Sequence, residues 1–95
     1  MSNITIYTSM LCGFCHSAKK LLKKKGLAFD EIDITIKPSA RREMIKLSNG
    51  SSSVPQIFIG TTHVGGCDEL YELEFDGELD TLLAEQGIVV QPAGG

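Results

Sequence analysis

The stretch Asn3-Ile4-Thr5-Ile6-Tyr7-Thr8-Ser9-Met10-Leu11-Cys12-Gly13-Phe14-Cys15-His16 is where the fold becomes readable. Polar and apolar residues alternate from Asn3 to Tyr7 and β-branched side chains dominate, so this segment reads as a β-strand. Thr8 and Ser9 break the alternation. From Cys12 to Lys25 the apolar positions Phe14, Cys15, Ala18, Leu21 and Leu22 recur at helical spacing, while Lys19, Lys20, Lys23, Lys24 and Lys25 cover the other face and the last turn. Cations there suit the negative pole of the helix dipole, and Gly26 supplies the stop. Leu27–Ile34 reads as a second strand anchored by Phe29, Ile32 and Ile34. Strand, helix and strand in this order make a right-handed βαβ unit with parallel strands.

Further along, Thr35–Pro38 is a turn, and Pro38 sits where the first turn of a helix begins. Ala40, Met44, Ile45 and Leu47 carry that helix to a left-handed stop at Asn49-Gly50. Ser51-Ser52-Ser53 is loop. Val54–Ile59 reads as a third strand opened by Pro55, at a position where the missing N–H is tolerated. The short turn Gly60-Thr61-Thr62 makes the next strand, His63–Gly65, antiparallel. Gly66-Cys67-Asp68 leads into a helix holding Leu70, Leu73 and Phe75. Gly77 interrupts it, and Leu79, Leu82 and Leu83 continue to Gln86-Gly87. The expected architecture is α/β, a mixed four-stranded sheet (a parallel βαβ unit plus an antiparallel hairpin) flanked by helices. It forms one domain over 1–87, with a loose tail over 88–95.

Size and composition agree with this. The chain has 95 residues, within the reach of a single domain of ~100–150 residues. A hydrophobic share of 42% with 22% charged residues excludes a disordered chain. The net charge of −3 lacks the basic footprint of a nucleic-acid binder. No apolar stretch approaches the ~20 residues of a membrane span, and the first residues lack the pattern of a signal peptide. A cytoplasmic protein is expected. Three cysteines in that compartment are not a structural disulfide framework, and two of them at C-x-x-C spacing point to redox chemistry or a metal.

Cys12-Gly13-Phe14-Cys15 follows a strand and opens a helix, the context in which C-x-x-C is a redox pair. A helix start carries free N–H groups and about half a positive charge. A thiol placed there is expected to ionise more easily, and the thiolate is the nucleophile. Cys12 meets this field and solvent; Cys15, one turn on, is the more buried partner that resolves a mixed disulfide. Two rival readings use the same residues. Cys12-x-x-Cys15-His16 matches haem c attachment, set aside because such proteins are assembled after export. Cys12, Cys15, His63 and Cys67 could form a zinc set, set aside because the two pairs lie some fifty residues apart in sequence. No metal site is expected. His16 reads as a partly exposed helix residue, His63 as a solvent-facing strand residue, and the lysines as a solvated face.

Tyr7-Thr8 followed by Cys12-x-x-Cys15, then Val54-Pro55-Gln56-Ile57-Phe58-Ile59 and Gly65-Gly66-Cys67-Asp68, resembles the glutaredoxins, and among them the short dithiol bacterial type. The similarity runs from about Ile4 to Leu83. It implies a thioredoxin-like fold and glutathione-dependent disulfide exchange on glutathionylated and disulfide-bonded proteins. It makes Cys12 and Cys15 catalytic and places glutathione among Phe14, Arg41, Val54, Pro55, Gly66, Cys67 and Asp68. Pro55 is then cis, the cysteinyl part of glutathione lies along Val54, and its γ-glutamyl carboxylate meets the helix start near Asp68. Arg41 aligns with a contact to the glycyl carboxylate.

Several positions depart from the family pattern. Ser9 stands where a lysine is frequent, Leu47 and Ser51-Ser52 replace basic residues, and Gly13-Phe14 replaces Pro-Tyr. Weaker glutathione affinity is the expectation. Cys-Gly-Phe is shared with monothiol relatives that ligate a [2Fe–2S] cluster between two protomers. A cluster held by Cys12 and glutathione in a dimer is therefore the alternative to a monomeric enzyme. Cys67 reads first as a small packing residue and second as a regulatory thiol.

Overall fold

The computed structural model describes residues 3–88. Four strands, β1 (Ile4–Thr8), β2 (Asp30–Asp33), β3 (Gln56–Ile59) and β4 (Thr62–Gly65), form one sheet in the order β2-β1-β3-β4. β1 runs parallel to β2, with Thr5 opposite Asp30 and Thr8 opposite Asp33. It runs antiparallel to β3, from Ile4 opposite Ile59 to Tyr7 opposite Gln56, and β3 pairs antiparallel with β4. Four helices complete the chain: α1 (Gly13–Lys24), α2 (Pro38–Leu47), α3 (Cys67–Phe75) and α4 (Glu78–Glu85). This is the expected mixed sheet.

Strand alternation sorts the core into two layers. Ile4, Ile6, Ile57 and Ile59 face Ala18, Leu21 and Leu22 of α1, Cys67 and Leu70 of α3, and Leu79 and Leu83 of α4. On the other face Tyr7 packs with Ala40 and Met44 of α2, with Phe58 and Val54 alongside.

Element ends shift for identifiable reasons. β2 begins at Asp30 rather than Leu27 because residues 25–27 still belong to the end of α1. The Leu27 N–H bonds the Leu22 carbonyl at 3.0 Å and the Gly26 N–H bonds the Lys23 carbonyl at 3.0 Å. With Gly26 at φ 71° this is the paired-bond helix ending that draws Leu27 onto Leu22 in the core. β3 begins at Gln56 because the ladder with β1 ends at the Tyr7–Gln56 pair and Pro55 has no N–H to extend it; the Val54–Pro55 bond before it is cis. Asn49 and Gly50 end α2 at φ 57° and 94° as expected.

Three side chains differ from their expected roles. Phe75 is 89% exposed; five residues beyond Leu70, it sits about 140° round the helix from the buried side. Phe14, in the first turn of α1, is exposed too. Lys25 is no solvated lysine. Its Nζ lies 2.8 Å from Glu74 Oε1 and 2.8 Å from Asp80 Oδ1, with the side chain 11% exposed. Burial lowers its basicity, but the hydrogen bonds to Asp80 and Glu74 outweigh this and leave the pKa above its ordinary value. Residues 47–95 contain neither lysine nor arginine, so Lys25 brings counter-charge to the acidic α3–α4 pair from the opposite half of the sequence. Of the tail expected over 88–95, Ile88 packs on the core and donates its N–H to the Leu83 carbonyl; positions 89–95 lie outside the described residues.

Candidate active site

The chain leaves β1 at Thr8 and turns sharply before α1. Met10 N–H donates to Thr35 Oγ1 at 3.1 Å, anchoring the turn to the segment after β2. Leu11, fully exposed, takes the left-handed region at φ 58°, a conformation that costs a non-glycine residue about 1 kcal/mol or more. Nothing in the local sequence signals this kink, which delivers Cys12 to the N-cap of α1.

Cys12 is extended, at φ −107° and ψ 105°, and its Sγ accepts the Cys15 N–H at 3.1 Å. The sulfur therefore does what a serine or aspartate oxygen does at other helix starts. No acidic residue competes in the first turn. Cys12 is partly exposed whereas Cys15 is only 2% exposed, the asymmetry expected of attacking and resolving thiols. Residues three apart share a helix face, and the two cysteines are disulfide-bonded with their Cα atoms 5.2 Å apart.

Beside this pair lies a groove of about 180 Å³ lined by Phe14, Val54, Pro55, Gly66, Cys67 and Asp68, together with Ser53 and Glu69. The first six are the residues the resemblance assigns to glutathione. Arg41 is exposed on α2 and is not among the lining residues. Ser53 and Glu69 join the groove without a motif in the sequence that marks them. Glu69 accepts the Gly66 N–H at 2.7 Å and so fixes the entry to α3. Gly65 sits at φ 110°, a backbone conformation that favours glycine, and a Cβ there would also stand 2.9 Å from Glu69 Oε1.

Cys67 lies in the first turn of α3, 8% exposed. Burial pushes its thiol pKa up, and the negative charges of Asp68 and Glu69 push it further. Between the end of β1, α1 and β2, Thr8 Oγ1 and Lys19 Nζ donate to Glu31 Oε2 at 2.8 and 3.0 Å. Burial raises the Glu31 carboxyl, but the hydrogen bonds from Lys19 and Thr8 outweigh it and hold the group below its usual range. His63 is not simply solvent-facing: its Nε2 is 2.6 Å from Gln56 Oε1. Among the described residues, no three of His, Cys, Asp and Glu gather as a metal-holding cluster, and none of the helices is long and apolar enough to cross a membrane.

Comparison with known proteins matches this scaffold. The glutaredoxin family model matches residues 4–64. Glutaredoxin 3 of Escherichia coli strain K12 is 52% identical over 83 residues, covering 87% of this chain and 99% of the relative. The solution structure of a glutaredoxin from Brucella melitensis is 47% identical with a TM-score of 0.76, covering 95% of this chain and 96% of its own. The crystal structure of a buckwheat glutaredoxin–glutathione complex is 28% identical with a TM-score of 0.83, covering 94% of this chain and 83% of its own. Fold, cysteine pair and shared sequence agree, and the chain belongs to the glutaredoxin family of thiol–disulfide oxidoreductases.

Proposed function

We propose that this protein uses glutathione to reduce protein–glutathione mixed disulfides and protein disulfides. The observation that carries the reading is the Cys12 sulfur, partly exposed at a helix start and accepting a backbone N–H beside the groove. The positive end of α1 and the Cys15 N–H both favour the thiolate over the thiol, so Cys12 is a nucleophile at neutral pH. The same stabilisation makes it a good leaving group.

On a mixed disulfide, the Cys12 thiolate attacks the glutathione sulfur. The old S–S bond breaks, and the protein thiolate leaves and takes up a proton. A second glutathione, as thiolate, attacks the Cys12–glutathione bond, releasing oxidised glutathione and restoring the Cys12 thiolate. On a protein disulfide, Cys12 attacks one sulfur. Cys15, after losing its proton, then attacks Cys12, expelling the reduced protein and closing the Cys12–Cys15 bond. Two glutathiones reduce that bond and leave as one disulfide.

The groove suits glutathione in three ways. Val54 lies two residues beyond the last ladder pair, Tyr7 with Gln56, which leaves its backbone to the extended cysteinyl part of the tripeptide. Gly66 and Cys67 bring the start of α3 to the groove for a carboxylate. Asp68 offers its charge to the ligand's amino group. Arg41 is assigned to the glycyl carboxylate from the resemblance. The buckwheat relative was crystallised as a complex with glutathione. The reaction draws on reduced glutathione, as a cytoplasm supplies it.

A coupled turnover assay tests the reading, supplying electrons either from glutathione with its reductase or from a thioredoxin-reductase system. Turnover with glutathione is expected; activity with the second source alone sinks the proposal. Cys15→Ser is expected to keep mixed-disulfide turnover and to lose protein-disulfide reduction.

A further inference from the structure

Gln56 opens β3 and is 3% exposed. A primary amide so deeply buried is costly unless both its ends are bonded. Its Nε2 lies 3.0 Å from Ser51 Oγ, 3.0 Å from the Ser53 carbonyl oxygen and 3.2 Å from Ser53 Oγ. Its Oε1 lies 2.6 Å from His63 Nε2. The Ser53 carbonyl can only accept, so the NH2 end must face it. Oε1 then faces His63, and the His63 Nε2 must carry a proton. The ring that presents this proton is itself held, stacked on Phe58 with centroids 4.9 Å apart and planes at 25°.

This chain of contacts runs from β4 through β3 into the loop over 51–53, which precedes the cis Val54–Pro55 bond. Ser53, Val54 and Pro55 all line the groove, yet they lie outside the β1–β3 ladder. The Gln56 amide is what ties the Ser53 carbonyl to the sheet. We propose that Gln56 and His63 are positioning residues: the His63 Nε2–H locks the Gln56 amide, and the amide holds Ser53 so that the Val54 backbone stands ready to pair with the extended thiol peptide. The assignment rests on the glutathione reading of the groove. It concerns binding, not the Cys12 sulfur.

His63→Phe keeps a ring that can stack on Phe58 and removes the donor. Without it, the amide can turn over and leave the Ser53 carbonyl unheld. Gln56→Met keeps the volume and removes the bonds at both ends. Each variant is compared with the parent protein for turnover of a glutathionylated peptide, and for the rate at which iodoacetamide alkylates Cys12 in the reduced protein. One to two neutral hydrogen bonds correspond to a KM rise of about three- to tenfold. Little change is expected in kcat, and none in the alkylation rate. A parent-like KM in both variants overturns the proposal. So does a fall in kcat matched by slower alkylation, which marks a general disturbance of the fold. Should the parent protein itself fail to turn over with glutathione, the reading of the groove fails first and this assignment falls with it.

Discussion

At the start of α1, Cys12 is the N-cap residue, partly exposed, with its sulfur accepting the Cys15 N–H and no carboxylate in the first turn. At the start of α3, Cys67 lies one position further in, buried, with Asp68 and Glu69 following it and the Glu69 carboxylate already on the Gly66 N–H. Both sulfurs sit at the positive end of a helix. Only one can use it. The N-cap position aims the Cys12 side chain at the free amides, whereas Cys67, at the first helical position, is packed into the core. The negative charges of Asp68 and Glu69 add to this at the sulfur, and the Cys67 thiol is held above its ordinary pKa by burial first and these charges second. A cysteine near a helix start is therefore no guide to reactivity until its cap position and the first-turn charges are known.

The largest effect that separates the two sites is on turnover. Cys12→Ser is expected to lower activity on a glutathionylated substrate by roughly a thousandfold or more, because the attacking atom is gone. Retention of parent-like turnover would place the nucleophile elsewhere, Cys67 included.

A smaller effect is the difference in alkylation. In the reduced protein at neutral pH, Cys12 is expected to react at least ~10 times faster than Cys67, read by peptide mass spectrometry over time. The pH dependence follows from the sign of the shift. A raised pKa keeps Cys67 protonated at neutral pH, so its labelling rate keeps climbing above the range where an ordinary cysteine has levelled off. Asp68→Asn with Glu69→Gln removes the secondary cause and leaves burial. With those charges gone the thiol pKa falls toward its ordinary value, and labelling of Cys67 near pH 8 is expected to rise about two- to threefold. Equal rates for Cys12 and Cys67 would erase the contrast between the two helix starts.

The smallest effect is on stability. A Cβ at Gly13 meets nothing within 4 Å, and Cys12 before it is extended, as a residue preceding proline prefers. Gly13→Pro at this first helical position is expected to raise the unfolding free energy by about 0.4–1 kcal/mol in urea melts. Gly66→Ala, by comparison, puts a Cβ 3.2 Å from Glu69 Oε1 and 3.5 Å from the Pro55 carbonyl, so no such gain is expected at the start of α3.

Much of the architecture was legible in short stretches of chain because strand and helix periods are local. The alternation around Ile4 and Ile6, the helical recurrence of Ala18, Leu21 and Leu22, and the stops at Gly26 and Asn49-Gly50 each involve residues a few positions apart. The C-x-x-C spacing likewise places two sulfurs on one face of a helix whatever else the chain does. The resemblance gathered Phe14, Val54, Pro55, Gly66, Cys67 and Asp68, and the fold brings those six to one groove. Tertiary packing alone decided the rest. Lys25 looks like its neighbours Lys23 and Lys24 until Glu74 and Asp80 close on it. His63 looks exposed until Gln56 and Phe58 surround it. Phe75 looks like core until the helix's rotation carries it outward. Electrostatic and hydrogen-bonding partners drawn from distant parts of a chain leave no periodic trace in it, so their pairing appears only once the sheet brings them together.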